Sequence, residues 1–123
     1  MADVITTAGK NAVAEKLGGL GSHTEWTYLA IGSNGATAVV GDTTLGTELT
    51  DSGLARATGA VTTDTANVLQ IVGLWTATAA KNILECGVLN KAATGTLLAH
   101  SDFSTISVAS SDSIQITYKI TVS

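Results

Sequence analysis

From Ser113 to Val122 apolar and polar side chains alternate without a break. Ile114, Ile116, Tyr118, Ile120 and Val122 fall on one side, and Gln115, Thr117, Lys119 and Thr121 on the other. A period of two puts these sets on opposite faces of a strand, one buried and one wet. Segments of similar pattern recur upstream with turn residues between them, and strands are expected over residues 25–32, 54–62, 67–78, 83–90, 96–103 and 113–122, with 104–108 extending the fifth or adding one more. In the first of these, Trp26, Tyr28 and Ala30 share one side and Leu29 and Ile31 the other.

One stretch breaks the alternation. Val68-Leu69-Gln70-Ile71-Val72-Gly73-Leu74-Trp75 is apolar on both faces, as in a strand buried twice, so its outer side is expected to be covered by an N-terminal helix or a neighbouring subunit. Period 3.6 appears near the start. Thr6 or Thr7 can cap a short helix that carries Val13 and Leu17 on one face and ends at Gly18-Gly19. Asp42 is expected to cap one further helical turn bearing Leu45 and Leu49. The fold expected is mainly β, an antiparallel β-sandwich or jelly roll with a short N-terminal helix and one further helical turn. It forms a single domain over residues 1–123, with 1–22 as a helical arm or cap.

Composition changes the picture of the surface. The chain is 45% hydrophobic but only 13% charged, against about a quarter charged in ordinary soluble domains, so a neutral Thr/Ser/Gly exterior and partner-covered surface are both expected. There is no proline, and Lys119 is the lone charge on the last strand, which leaves sheet edges weakly guarded against pairing with another chain. The net charge of -4 and the scattering of Lys10, Lys16, Arg56, Lys81, Lys91 and Lys119 argue against nucleic acid as a partner. No apolar run is long enough to cross a bilayer, and Met1-Ala2-Asp3-Val4 lacks the features of a signal peptide.

Candidate chemistry is sparse. Cys86 is a single cysteine, so it has no intrachain disulfide partner and is expected as a small buried residue. His23 and His100 lie far apart with no ligand at metal spacing, and no cofactor is expected. Glu25, Asp42, Glu48, Asp51, Asp64, Asp102 and Asp112 mostly adjoin Gly, Ser or Thr and read as turn and cap residues. Glu85 differs, because it sits in the apolar run Ile83-Leu84-Glu85-Cys86-Gly87-Val88-Leu89 and needs a partner there: Arg56, as a structural ion pair, or a cluster of backbone N–H groups. No nucleophile elbow or phosphate loop is visible, so catalysis is not expected. Trp26 and Trp75 read first as core anchors, next as interface residues and last as a sugar platform. The candidate interface comprises Val13, Leu17, Trp26, Val68, Val72, Leu74 and Trp75.

The order of short motifs resembles small structural proteins of tailed bacteriophages. Ile5-Thr6-Thr7-Ala8-Gly9 through Leu17, then Tyr28-Leu29-Ala30-Ile31-Gly32-Ser33, resembles the start of tail-collar fibre proteins, in which a T-x-A-G helix leads into a strand ending A-hydrophobic-G. Gly41-Asp42-Thr43-Thr44-Leu45-Gly46-Thr47-Glu48 is similar to a D-T-x-L-G-x-E stretch in such proteins, and Leu84-Glu85-Cys86-Gly87-Val88-Leu89-Asn90 to their E-x-G-hydrophobic-hydrophobic strand. The resemblance implies a virion protein, made in the bacterial cytoplasm. A domain of this size is expected as a capsid decoration (cement) protein, a homotrimer on the major capsid protein. An adaptor at the base of a tail or head fibre is the alternative, and a small carbohydrate-binding module is an alternative of another class.

Overall fold

A computed structural model describes residues 2–122. Strand β1 (Ala2–Ile5) is followed by helix α1 (Thr7–Leu17), then by β2 (Tyr28–Gly32), β3 (Ala57–Thr58), β4 (Ala60–Thr65), β5 (Val68–Thr76), β6 (Lys81–Leu89), β7 (Leu97–Val108) and β8 (Ser113–Thr121). All pairings are antiparallel, giving one sheet of order β1-β7-β6-β2-β3 and a second of order β4-β5-β8. The β-sandwich expected from the alternation is the architecture found.

The inner faces meet in a core built from Leu29, Ile31, Ile71, Trp75, Ile83, Cys86, Val88 and Ile114. Gly59 makes the crossing between the sheets: β3 pairs with β2, β4 pairs with β5, and the Gly59 N–H is held by the Thr27 carbonyl. That crossing splits the strand expected over 54–62 in two. Residues 104–108 extend β7, one of the two outcomes foreseen.

Helix α1 starts where the capping signal placed it. Thr6 is the N-cap, its hydroxyl accepting the Gly9 N–H at 2.9 Å. That hydroxyl also donates to the Leu97 carbonyl, so the cap is tied to β7 as well as to its own helix. The helix lies over the end of the sandwich, with Ala12 buried in the core and Gly9 against Leu98. It does not provide the cover for β5 that the doubly apolar run leads one to expect. β5 is the central strand of the smaller sheet: Leu69, Ile71 and Trp75 point inward, while Val68 and Val72 stay half-buried and Leu74 is 66% exposed on the open face.

No second helical turn follows Asp42. Bends at 43–44 and 46–47 lead to an isolated bridge of Glu48 with Gly32, because the backbone groups here are engaged across the sheet instead of along the chain. The Ser33 N–H donates to Thr47 O and the Leu49 N–H to Ile31 O, while the Gly46 and Thr47 N–H groups donate to the Glu85 carboxylate. With those donors taken, the helical ladder has nothing to build from. Leu45 and Leu49 are buried all the same, Leu45 packing with Ala30, Leu89 and Leu97 on the outer face of the larger sheet.

Candidate functional site

Two places stand out, a buried polar cluster on the outer face of the larger sheet and an apolar cleft beneath α1.

The cluster is set by strand register. Glu85 on β6 lies directly opposite Asp102 on β7, and His100, two residues earlier on β7, shares their face. Carboxylates opposed in this way repel unless donors surround them. Segment 34–47 brings those donors. Glu85 Oε1 accepts the Gly46 N–H at 2.8 Å, and Oε2 accepts the Thr47 N–H at 2.8 Å and the Asn34 N–H at 3.1 Å. Asp102 accepts the N–H groups of Ala38 and Ala2, each at 3.0 Å. Room for the Glu85 carboxylate comes from Gly32 opposite it on β2, where a Cβ would overlap the carboxylate and the Thr47 carbonyl.

His100 completes the arrangement, with Nε2 2.8 Å from Glu85 Oε1 and Nδ1 2.7 Å from Asp42 Oδ2. Both oxygens already accept backbone N–H groups, Oδ2 from Val39 at 2.9 Å. The ring is thus held from both of its nitrogens, between a strand carboxylate and one on the segment. For Asp42, burial pushes the pKa up, but the Val39 N–H and His100 outweigh it and hold it below the usual range. For Asp102, the Ala38 N–H dominates over burial, helped by Ala2 and the amino-terminal charge, and the result is again a lowered value. Among the described residues no buried side-chain nitrogen or oxygen lacks a partner.

Chemically this cluster is a clamp. Both ring nitrogens of His100 are engaged by carboxylate oxygens, and Cys86 faces the opposite side of the sheet, in the core. Among the described residues, no three His, Cys, Asp or Glu side chains are grouped to hold a metal ion. A hollow of about 310 Å³ beside the clamp is lined by Asn34, Thr43, Thr44 and Asp42, all on the same segment.

The expected pair of Arg56 with Glu85 does not form. Arg56 binds Glu48 as a fork, Nε to Oε2 at 2.9 Å and Nη2 to Oε1 at 2.7 Å, and its Nη1 donates to the Lys91 and Thr94 carbonyls. Glu85 takes the other option, a nest of backbone N–H groups, joined by His100. Sequence reading missed His100, Asp42 and Asp102 as its neighbours. The usable signal was the two-residue spacing of His100 and Asp102, which puts both on one strand face.

The cleft, about 670 Å³, opens between α1 and the ends of β4, β5 and β8. Ile5, Val13, Leu69, Leu98 and Ile120 wall it, and Leu17, Val61 and Val122 stand on its rim with 85%, 42% and 70% of their surface in water. Lys10, Lys16 and Glu25 border it, Lys16 pairing with Glu25 at 3.4 Å. Val13 and Leu17 of the candidate interface therefore lie here, while Val68, Val72 and Leu74 lie on the open face of β5. Trp26 also lines the cleft, whereas Trp75 lies apart from both surfaces. Both tryptophans are core residues, 8% and 4% exposed, with indole N–H groups donating to Thr96 O at 3.0 Å and Ala55 O at 2.8 Å. A sugar platform needs an open aromatic face, and neither ring presents one.

No protein-family model matches the chain, and no curated protein or solved structure matches it either.

Proposed function

We propose that the protein is a non-catalytic assembly subunit, packing against copies of itself and against a larger particle. The observation that carries this reading is the cleft. Isolated exposed apolar residues are ordinary on soluble proteins, but Leu17, Val61 and Val122 gather on one rim above an apolar hollow, and contiguous patches of that kind mark contact surfaces. Fully removing such a side chain from water stabilises a complex by about 1.5–3 kcal/mol. The open face of β5 with Leu74 is a second and different apolar surface. Two unlike surfaces on one subunit suit a closed ring, in which each copy offers one to the next, and a homotrimer is the ring we favour.

The particle we propose is the capsid of a tailed bacteriophage, with this chain as its decoration protein. Support comes from the ordered motifs that resemble phage structural proteins and from the weakly charged, unguarded sheet edges. A decoration protein that binds only the assembled lattice stabilises it by mass action, about 2.7 kcal/mol per site at a hundredfold excess over Kd, multiplied by avidity when three sites are linked.

Light scattering on purified protein tests the first part: a mass of three 12.4 kDa chains is expected, reduced by Leu17→Asp, and a monomer at the highest soluble concentration overturns self-association. Quantitative mass spectrometry of purified virions tests the second. Hundreds of copies per particle support decoration, a dozen or so reassign the chain to a fibre or tail, and absence from particles overturns a virion role.

A further inference from the structure

We infer that Asp42, Glu85, His100 and Asp102 form a proton-operated latch that holds segment 34–47 onto the larger sheet and releases it in acid while the sandwich stays folded. The segment has little else to hold it: Ala38 and Leu45 are its only buried residues, and Val39 and Val40 at its crest are more than half exposed. What fastens it is acceptance of its N–H groups by carboxylates of the sheet, those of Asn34, Gly46 and Thr47 by Glu85 and that of Ala38 by Asp102, together with the contact of its own Asp42 with His100. Beyond these it has two backbone ties, the Thr7 N–H to Val40 O at its crest and the Ser33 N–H to Thr47 O at its margin.

The charges that face His100 can be named from each packed element. β6 offers Glu85, β7 itself offers Asp102, the segment offers Asp42, and β1 places uncharged Val4 opposite. Asp3 pairs with Ser101 and Cys86 belongs to the core, so both face the other side. Among the described residues no lysine or arginine bonds to the cluster. His100, the amino-terminal charge near Asp102 and a set of backbone donors therefore face three carboxylates. Protonating a carboxylate replaces a charged acceptor by a weaker neutral one, so its hold on the segment's N–H groups weakens. The sign is that of groups with lowered folded values: Asp42 and Asp102 stabilise the closed segment above the ordinary carboxylate range, about pH 4, and that stabilisation is lost as pH falls below it.

Amide hydrogen exchange read by NMR from neutral pH to about pH 3, corrected for the intrinsic rate at each pH, tests the latch. Protection at Ala38, Val39, Gly46 and Thr47 is expected to fall at least tenfold across the acid range while the β5 and β8 amides and the tryptophan fluorescence hold. Asp102→Asn keeps an acceptor but cannot titrate in that range, so its Ala38 amide is expected to lose the acid step; the substitution thus tests the charge without emptying the site. The inference is overturned if the segment's amides stay protected in acid, if they are lost only together with the β5 and β8 amides, or if the Ala38 step is undiminished in the Asp102→Asn protein.

Discussion

Gly9 turns a bare Cα onto the main chain of Leu98: a Cβ built at Gly9 would lie 2.7 Å from Leu98 Cα and 2.8 Å from its carbonyl oxygen. Both atoms are backbone, so nothing there can swing aside. Helix propensity favours alanine over glycine by about 1 kcal/mol, but the clash acts against it and overpacking costs about 1–3 kcal/mol. Gly9→Ala is therefore expected to destabilise, with a lower urea midpoint and weakened protection of β1 and α1 amides. An increase in the midpoint would show that the helix is not seated on β7.

Trp75 and Leu74 are neighbours in sequence with opposite surroundings. Truncating the buried indole in Trp75→Ala leaves a cavity and strands the Ala55 carbonyl, at a cost of about 3–5 kcal/mol. Leu74→Thr, on the open face, is expected to change the stability of the isolated chain by no more than about 0.5 kcal/mol. Parallel urea titrations check the contrast.

Arg56 joins residues that are far apart in the chain, Glu48 before it and the turn carbonyls of Lys91 and Thr94 after it. Its side chain is mostly buried, and lysine has a single nitrogen in place of the planar fork. Arg56→Lys is expected to lower stability by about 1.5–3 kcal/mol, the range for lost hydrogen bonds to charged groups, seen as a melting temperature several degrees lower.

Cys86 is pushed up to about 12 by burial, with the Asp3 and Glu85 charges adding to it. In the folded chain the thiol keeps its proton at pH 8, where an unfolded cysteine is partly thiolate. A disulfide reagent is expected to label it at pH 8 only after denaturant is added. The sign for stability follows: the unfolded chain releases the proton above about pH 8.5 and the folded chain does not until far higher. Stability thus declines on the alkaline side. Tyr118, raised by burial although its bond to Ser101 opposes the shift, adds to that decline.

What could be read from sequence depended on how local its cause was. β8 was legible because one face is wet, so each residue reports its side, and α1 was legible because Thr6 and Gly18 mark its ends within a few residues. β1 is only four residues long, and its partner lies in β7, near the other end of the chain. Nothing local distinguishes it. Leu45 and Leu49 stand four apart and are buried, as in a helical turn, yet the backbone between them is shaped by Glu85 on a distant strand. For Arg56, the sequence offered several carboxylates at no diagnostic spacing, and only the folded path brings Glu48 to it. The nest of N–H groups around Glu85 was foreseeable in kind, because a carboxylate in an apolar run must be compensated by hydrogen bonds, but not in its donors.

The pairing of β1 with β7 also bears on how the chain is made. Ala2 and Asp102 are bonded across 100 positions, and the Thr6 cap leans on Leu97 and Leu98. At ribosomal rates of about 5–20 residues per second, roughly 5–20 s pass between synthesis of the first strand and synthesis of its partner. During that interval the opening strand and helix have no surface to settle on. The opening strand and helix are therefore made well before they can reach their places, and a nascent chain stalled before Leu97 would leave both exposed to proteases.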